Sequence, residues 1–161
     1  TPKPSSAASD VYKRQVLGPK NIRGATRITD ELTGASWLPM GYVDDMASAY
    51  AAADLMVARS GAGTVVETAT VGLPTIYVPL PHGNGEQARN ATSAVDAGAG
   101  VVVANADLDV ERLLAETARI HDADVLAQMS AAGRGLMPAH AAEEMAVRVI
   151  SAATSIDPTI G

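Results

Sequence analysis

The segment from Asp54 to Glu67 has the residue pattern of a phosphate and ribose site. The apolar run at residues 55–58 predicts a short buried strand, and a turn of small residues, Ser60-Gly61-Ala62-Gly63, follows it. Because no bulky side chain stands in that turn, backbone N–H groups at the start of the next helix can approach an anion. Glu67 lies one turn into that helix, where its carboxylate can accept hydrogen bonds from sugar hydroxyls.

A second loop, residues 81–90, is rich in hydrogen-bonding side chains. Gln87, near a predicted helix start, offers both the amide N–H and the carbonyl oxygen that neighbouring sugar hydroxyls require. A small-residue turn alone is more often simple close packing, so this companion loop is what favours a ligand site. Its sequence is Pro81-His82-Gly83-Asn84-Gly85-Glu86-Gln87-Ala88-Arg89-Asn90.

Each candidate also has a purely structural interpretation. Glu67 can be a solvent-facing acid that stabilises the N-terminal end of the helix dipole, and Gln87 can be a solvated helix end. His82 can act as a general base, but a lone His beside Pro and Gly is more often a loop-positioning residue. Arg59 either faces a diphosphate or pairs with one of the neighbouring acids, Asp44, Asp45 or Asp54.

Alternating strands and helices must position these loops. Such alternation predicts an α/β fold with a doubly wound parallel sheet, whose ligands lie beyond the carboxyl ends of the strands. Residues 59–64 and 79–87 both fall on that edge. Trp37 to Val43 looks extended, and the all-apolar run at 101–104 fits a strand buried on both faces. Strands are predicted at 16–17, 55–58, 75–78 and 101–104, and helices at 46–53, 64–71, 86–97, 107–120 or 109–120, 123–134 and 139–153.

The start of the chain differs from the rest. Residues 1–15 contain two prolines, a Ser/Ala run and no clear periodicity, which predicts a disordered or artefactual leader, with a native linker as the alternative. We expect one incomplete domain over residues 16–157 and a short tail at 158–161.

Composition narrows the possible functions. The 161 residues are 47% hydrophobic and carry a net charge of −6, which suits one globular domain and argues against a nucleic-acid binder. Cysteine is absent and the three histidines are scattered, so we expect no metal site. No apolar stretch approaches the roughly 20 residues of a transmembrane helix, and the N-terminus lacks a secretory signal core. These features are compatible with a cytoplasmic protein.

Several motifs together, in this order and spacing, resemble the MurG family of glycosyltransferases, and the Ala-rich composition is most similar to its actinobacterial members. The resemblance covers the chain from about Val16 onward and is densest between Gly41 and Gly100. The motifs are Gly41-Tyr42-Val43-Asp44-Asp45-Met46, Ala51-Ala52-Ala53-Asp54-Leu55, Arg59-Ser60-Gly61-Ala62-Gly63-Thr64-Val65-Val66-Glu67, Val71-Gly72-Leu73-Pro74-Thr75-Ile76-Tyr77-Val78-Pro79-Leu80 and Gly83-Asn84-Gly85-Glu86-Gln87-Ala88-Arg89-Asn90-Ala91.

The resemblance implies a Rossmann-like parallel sheet with helices on both faces, the C-terminal half of a GT-B enzyme that binds UDP-N-acetylglucosamine. By family matching Val43 lies against uracil, the backbone of Ala62 to Thr64 meets the diphosphate, Glu67 binds the ribose hydroxyls and Gln87 the sugar hydroxyls. Glu86 replaces a frequent second Gln, and Gly63 a larger apolar residue. The full set of implied substrate-binding residues is Val43, Arg59, Ser60, Ala62, Gly63, Thr64, Glu67, His82, Glu86, Gln87 and Asn90.

The family's N-terminal acceptor domain has no counterpart in these 161 residues. The resemblance therefore places the catalytic residues and the lipid-linked acceptor with that missing half, at the cytoplasmic face of the membrane. The full enzyme is expected to be an inverting hexosyltransferase of peptidoglycan synthesis that transfers N-acetylglucosamine to a lipid-linked muramyl-pentapeptide, with no cofactor. We expect no turnover from this fragment alone.

Two other interpretations remain open. Gly61-Ala62-Gly63 is reminiscent of an oxidoreductase-type dinucleotide fingerprint, but Val66 stands at the third glycine and no acid ends the next strand. A noncatalytic nucleotide-sugar module, or another GT-B glycosyltransferase, fits the same residues.

Overall fold

The computed structural model describes residues 11–82, 84–136 and 140–154. The chain divides into two compact units, one ending at Ala49 and the other beginning at Tyr50. The predicted tail and most of the predicted leader lie outside the described residues. The division into leader, donor domain and tail stays a prediction.

The first unit holds a three-stranded sheet of order β1-β3-β2. Strand β1 (Tyr12–Val16) runs parallel to β3 (Ser36–Met40), with Tyr12 opposite Ser36, whereas β2 (Ile28–Thr29) pairs with β3 antiparallel. Residues 12–15 of the predicted leader thus lie in β1. The sequence hides this strand because all five of its residues are exposed and no apolar alternation marks them.

Helix α1 (Met46–Ala52) begins at the residue predicted for the helix at 46–53. The Asp45 carboxylate accepts a 3.0 Å hydrogen bond from the backbone N–H of Ser48, which is the geometry of an N-cap. Tyr50 of α1 is counted with the second unit.

The second unit is built on a parallel sheet of order β4-β5-β6. Its strands alternate with helices as predicted, and the predicted ends agree with the observed ones within a few residues. The elements are β4 (Met56–Ala58), α2 (Ala62–Val71), β5 (Thr75–Tyr77), α3 (Glu86–Asp96), β6 (Gly100–Val102), α4 (Val110–Ile120), α5 (Ala123–Leu136) and α6 (Ala141–Thr154). The start predicted for α6 at residue 139 lies outside the described residues.

Helices cover both faces of the central strand β5. Neighbouring residues of a strand point to opposite faces, and Ile76 and Tyr77 accordingly belong to different core clusters. The Tyr77 cluster contains residues of α2 and α3, and the Ile76 cluster contains residues of α4 and α5. This arrangement confirms the predicted α/β fold.

Strand β6 corrects one sequence expectation. The run at 101–104 was predicted to be buried on both faces, but Val102 is 39% exposed. In the described sheet β6 pairs with β5 alone, so it is an edge strand. An all-apolar run does not distinguish an edge strand from a central one.

Gly72 sets the geometry between α2 and β5. It ends α2 in the left-handed conformation, with φ of 67°, and its N–H donates to the carbonyl of Ala69 at 3.0 Å. A Cβ atom at this position would lie 2.7 Å from the backbone oxygen of Ser130 in α5. The glycine therefore permits both the predicted helix end and the close approach of α5.

None of the helices within the described ranges combines the length and apolar character needed to cross a bilayer.

Candidate functional site

The candidate site lies at the carboxyl edge of the second unit's sheet, where Arg59 connects the ends of all three strands. Its Nη1 atom donates to the backbone oxygens of Val78 at 3.1 Å and Pro79 at 3.3 Å, and to Oδ1 of Asn105 at 2.7 Å. Arg59 thus has a structural role, as one of the two sequence interpretations proposed. Its partners are backbone carbonyls and an amide side chain, whereas the sequence suggested carboxylates. A contact of Arg59 with a ligand stays a prediction.

Ser60 occupies the turn between β4 and α2 and is fully buried. Its carbonyl accepts a 3.2 Å hydrogen bond from Nδ2 of Asn90, which joins the turn to α3. Its hydroxyl has no hydrogen-bond partner within the described part of the chain. Ser60 and Asn90 therefore hold the two predicted loops together, and their contacts with a ligand stay predictions.

The start of α2 presents unsatisfied backbone donors. Gly61 is the N-cap, with φ of −62° and ψ of 149°, and no described side chain caps it. The first hydrogen bond to a residue of the helix runs from the N–H of Val65 to the carbonyl of Gly61 at 3.0 Å, so the N–H groups of Ala62, Gly63 and Thr64 precede the intrahelical ladder. These donors and the positive end of the helix dipole favour an anion.

Glu67 is exposed one turn further along α2. Its Oε2 atom accepts a 2.7 Å hydrogen bond from the hydroxyl of Tyr50. Tyr50 was not among the predicted site residues, although it lies in the helix predicted at 46–53. The tyrosine in that helix could have indicated the contact, because a buried hydroxyl needs a hydrogen-bond partner.

The Tyr50–Glu67 contact affects the tyrosine's ionisation. Tyr50 is only 8% exposed, and this burial is the main cause that raises its pKa to about 12. The hydrogen bond to Glu67 and the negative charge of that carboxylate act in the same direction. The phenol therefore keeps its proton at neutral pH and donates it to the carboxylate.

The second predicted loop precedes α3. Oε1 of Gln87 accepts a 3.0 Å hydrogen bond from the backbone N–H of Leu80. The side-chain carbonyl is therefore used within the protein, which leaves the side-chain NH2 group as the donor for a ligand. Glu86 accepts from the side chain of Asn84 at 3.0 Å. Gly85 begins the helix with φ of 76°, a conformation that favours glycine.

His82 and Val43 are the predicted site residues that remain to be located. His82 is exposed after β5, and Gly83 of the same loop lies outside the described residues. Val43 is half-buried in the first unit, between β3 and α1. The structure thus brings together the α2 start, Glu67 and the α3 loop, all within the second unit.

Potential metal ligands are not clustered within the described residues. Over residues 11–82, 84–136 and 140–154, no group of three or more His, Cys, Asp or Glu side chains could hold a metal ion.

Comparison with known proteins identifies the relatives of the chain. It is 96% identical over 154 residues to the UDP-N-acetylglucosamine--N-acetylmuramyl-(pentapeptide) pyrophosphoryl-undecaprenol N-acetylglucosamine transferase of Cutibacterium acnes, covering 96% of this chain and 41% of that protein. The identically named protein of Nocardioides sp. is 47% identical over 117 residues, covering 72% of this chain and 32% of that protein. The chain therefore spans about two fifths or less of these relatives.

A crystal structure of MurG from Acinetobacter baumannii has the same fold, with a TM-score of 0.79 at 24% identity, covering 88% of this chain and 42% of that one. The resemblance to the MurG family and the GT-B half-fold are confirmed by these matches. The family model described as glycosyltransferase family 28 C-terminal domain matches residues 8–146, so the match begins inside the predicted leader. The chain belongs to the glycosyltransferase family 28 C-terminal domain family.

Proposed function

We propose that this chain is the donor-binding part of a glycosyltransferase that transfers N-acetylglucosamine from UDP-N-acetylglucosamine to a lipid-linked muramyl-pentapeptide. The observation that carries the proposal is the uncapped start of α2 with Glu67 one turn further along the same helix. The names of the relatives supply the donor and the acceptor.

The diphosphate of the donor is assigned to the backbone N–H groups of Ala62, Gly63 and Thr64. A helix start stabilises a bound diphosphate and, in the reaction, the charge that develops on the departing UDP. Because the α2 residues at these positions carry no acidic side chain, nothing in the first turn competes with that anion.

The sugar-binding roles follow from the hydrogen bonds already present. Glu67 accepts from the ribose hydroxyls. The side-chain amide of Gln87 donates to the N-acetylglucosamine, because its carbonyl is held by Leu80. Glu86 contributes acceptors and no donor. The uracil contact that the resemblance implies for Val43 stays a prediction.

The reaction requires the rest of the longer protein. The chain spans 41% of the Cutibacterium relative, so the acceptor site and the catalytic base are assigned to the remaining part of such a protein. We assign the longer enzyme to the cytoplasmic face of the membrane, and the lipid-linked acceptor in the relatives' names supports its contact with a membrane. The chain alone is expected to bind donor weakly and to catalyse no transfer.

Isothermal titration calorimetry tests the donor assignment. We expect the chain to bind UDP-N-acetylglucosamine and UDP but not NAD. Glu67→Ala should weaken UDP binding about tenfold, since a hydrogen bond to a charged group contributes about 1.5 kcal/mol. Glu143→Ala, in the first turn of α6, is the matched control and should leave binding unchanged. Absence of UDP binding, or binding of NAD at the same site, would overturn the proposal.

A further inference from the structure

Tyr50 and Glu67 form a contact between two helices of the candidate site. The hydroxyl of Tyr50 in α1 lies 2.7 Å from Oε2 of Glu67 in α2. The tyrosine is 8% exposed, whereas the glutamate is an exposed residue. A buried donor therefore contacts a carboxylate of an exposed residue.

The two oxygens of the carboxylate have different surroundings. Oε2 is used by Tyr50, while a Cβ atom built on Gly63 would lie 3.8 Å from Oε1. Oε1 thus lies over the first turn of α2, close to the residue whose backbone N–H is one of the candidate phosphate donors. The missing side chain of Gly63 leaves space beside that oxygen.

An exposed glutamate on a helix would otherwise sample several rotamers, and ordering it on ligand binding would cost conformational entropy. A hydrogen bond made before the ligand arrives reduces that cost, which is the general benefit of preorganisation. The carboxylate also keeps its remaining lone pairs for hydroxyl donors.

We propose that Tyr50 is a positioning residue for ribose recognition, which holds Oε2 of Glu67 so that Oε1 is aimed at a ribose hydroxyl. This inference rests on the proposed binding of a UDP-sugar. Tyr50 itself does not touch the ligand and acts through Glu67.

The experiment compares UDP with 2′,3′-dideoxy-UDP, which lacks both ribose hydroxyls, by calorimetry on the full 161-residue chain. The unsubstituted chain should prefer UDP. Tyr50→Phe should weaken UDP binding about fivefold and leave dideoxy-UDP binding unchanged, because the lost contact serves the hydroxyls alone. In a Glu67→Ala background, Tyr50→Phe should have no further effect on UDP.

Tyr77→Phe is the matched control. The hydroxyl of Tyr77 is also buried and lies 2.8 Å from the hydroxyl of Thr68, so its removal deletes a comparable hydrogen bond within the same unit. This variant should lose stability without changing the preference for UDP over dideoxy-UDP. A merely structural role for Tyr50 would give the same result as Tyr77→Phe.

An ultraviolet titration tests the contact without any nucleotide. The difference between the unsubstituted chain and Tyr50→Phe isolates one phenol, which should titrate at about 12. Glu67→Gln removes the negative charge and should lower the pKa of that phenol. An unchanged pKa would overturn the proposed contact.

The outcomes separate the two proposals. If UDP does not bind the unsubstituted chain, both fail. If UDP binds but Tyr50→Phe leaves the UDP to dideoxy-UDP affinity ratio unchanged, the positioning role fails and the donor site stands.

Discussion

The starts of helices α2 and α4 lie in the same unit, but their first backbone N–H groups are capped differently. Helix α4 has Asp109 as its N-cap, whose Oδ1 accepts from the backbone N–H of Arg112 at 2.7 Å, and Glu111 adds an acid in the first turn. Helix α2 has Gly61 as its N-cap, no cap from a described side chain and no acid in the first turn.

From this difference we infer that the α2 start is left open for a ligand. At α4 the protein supplies its own anion, which satisfies a backbone donor and complements the helix dipole. At α2 the corresponding donors remain available, and the acid is placed one turn later, at Glu67, where it can serve hydroxyls without repelling a phosphate. We infer that α2 forgoes the stability of a cap in order to bind an anion.

The largest loss of UDP affinity is expected when α2 receives the kind of side-chain cap that α4 has. Gly61→Asp should weaken UDP binding about 100-fold, because its carboxylate would accept from a backbone donor and repel the diphosphate. The substitution should fit, since φ is −62° and a Cβ atom there would have Thr64 Oγ1 as its nearest neighbour, at 4.0 Å. Calorimetry measures the affinity. Gly61→Ala, which adds the Cβ without the charge, should retain most of it.

A smaller effect is expected when a single donor is removed. Ala62→Pro deletes one N–H at the first helical position, where proline is well tolerated, and should weaken UDP binding about tenfold. Val110→Pro makes the same change at the start of α4 and should leave UDP binding unchanged. Equal losses of UDP affinity from both variants, measured by the same titration, would show that the N–H groups of α2 have no particular role in UDP binding.

The smallest expected effect concerns stability alone. Asp109→Ala removes the α4 cap and should lower the free energy of unfolding by about 1 kcal/mol, with UDP affinity unaffected. Urea denaturation followed by circular dichroism measures the first quantity. A loss of UDP affinity in this variant would argue that the α4 start belongs to the site.

Local patterns were sufficient to predict the framework of the second unit. The apolar run before Ser60, the small-residue turn and the glycine after Val71 each act through neighbouring residues, so their strand, turn and helix end could be predicted. For α4 the pattern left Asp107 and Asp109 as alternative starts, and Asp109 is the N-cap in the structure.

Contacts between distant residues could not be predicted. Tyr50 and Glu67 are 17 positions apart, and Arg59 and Asn105 are 46 apart, so no local pattern links them. Only the last residue of β1, Val16, fell within the strand predicted at 16–17, because the exposed residues before it carry no apolar alternation. The exposure of Val102 depends on its position in an edge strand.

The most direct test of the α2 site is nuclear magnetic resonance of the backbone amides during addition of UDP and, separately, of uridine. The account predicts that the resonances of Ala62, Gly63 and Thr64 shift markedly with UDP and little with uridine, because the diphosphate binds at these N–H groups. The first-turn amides of α4 should not respond to either compound. UDP-dependent shifts at α4 in place of α2, or equal shifts at α2 with UDP and uridine, would contradict it.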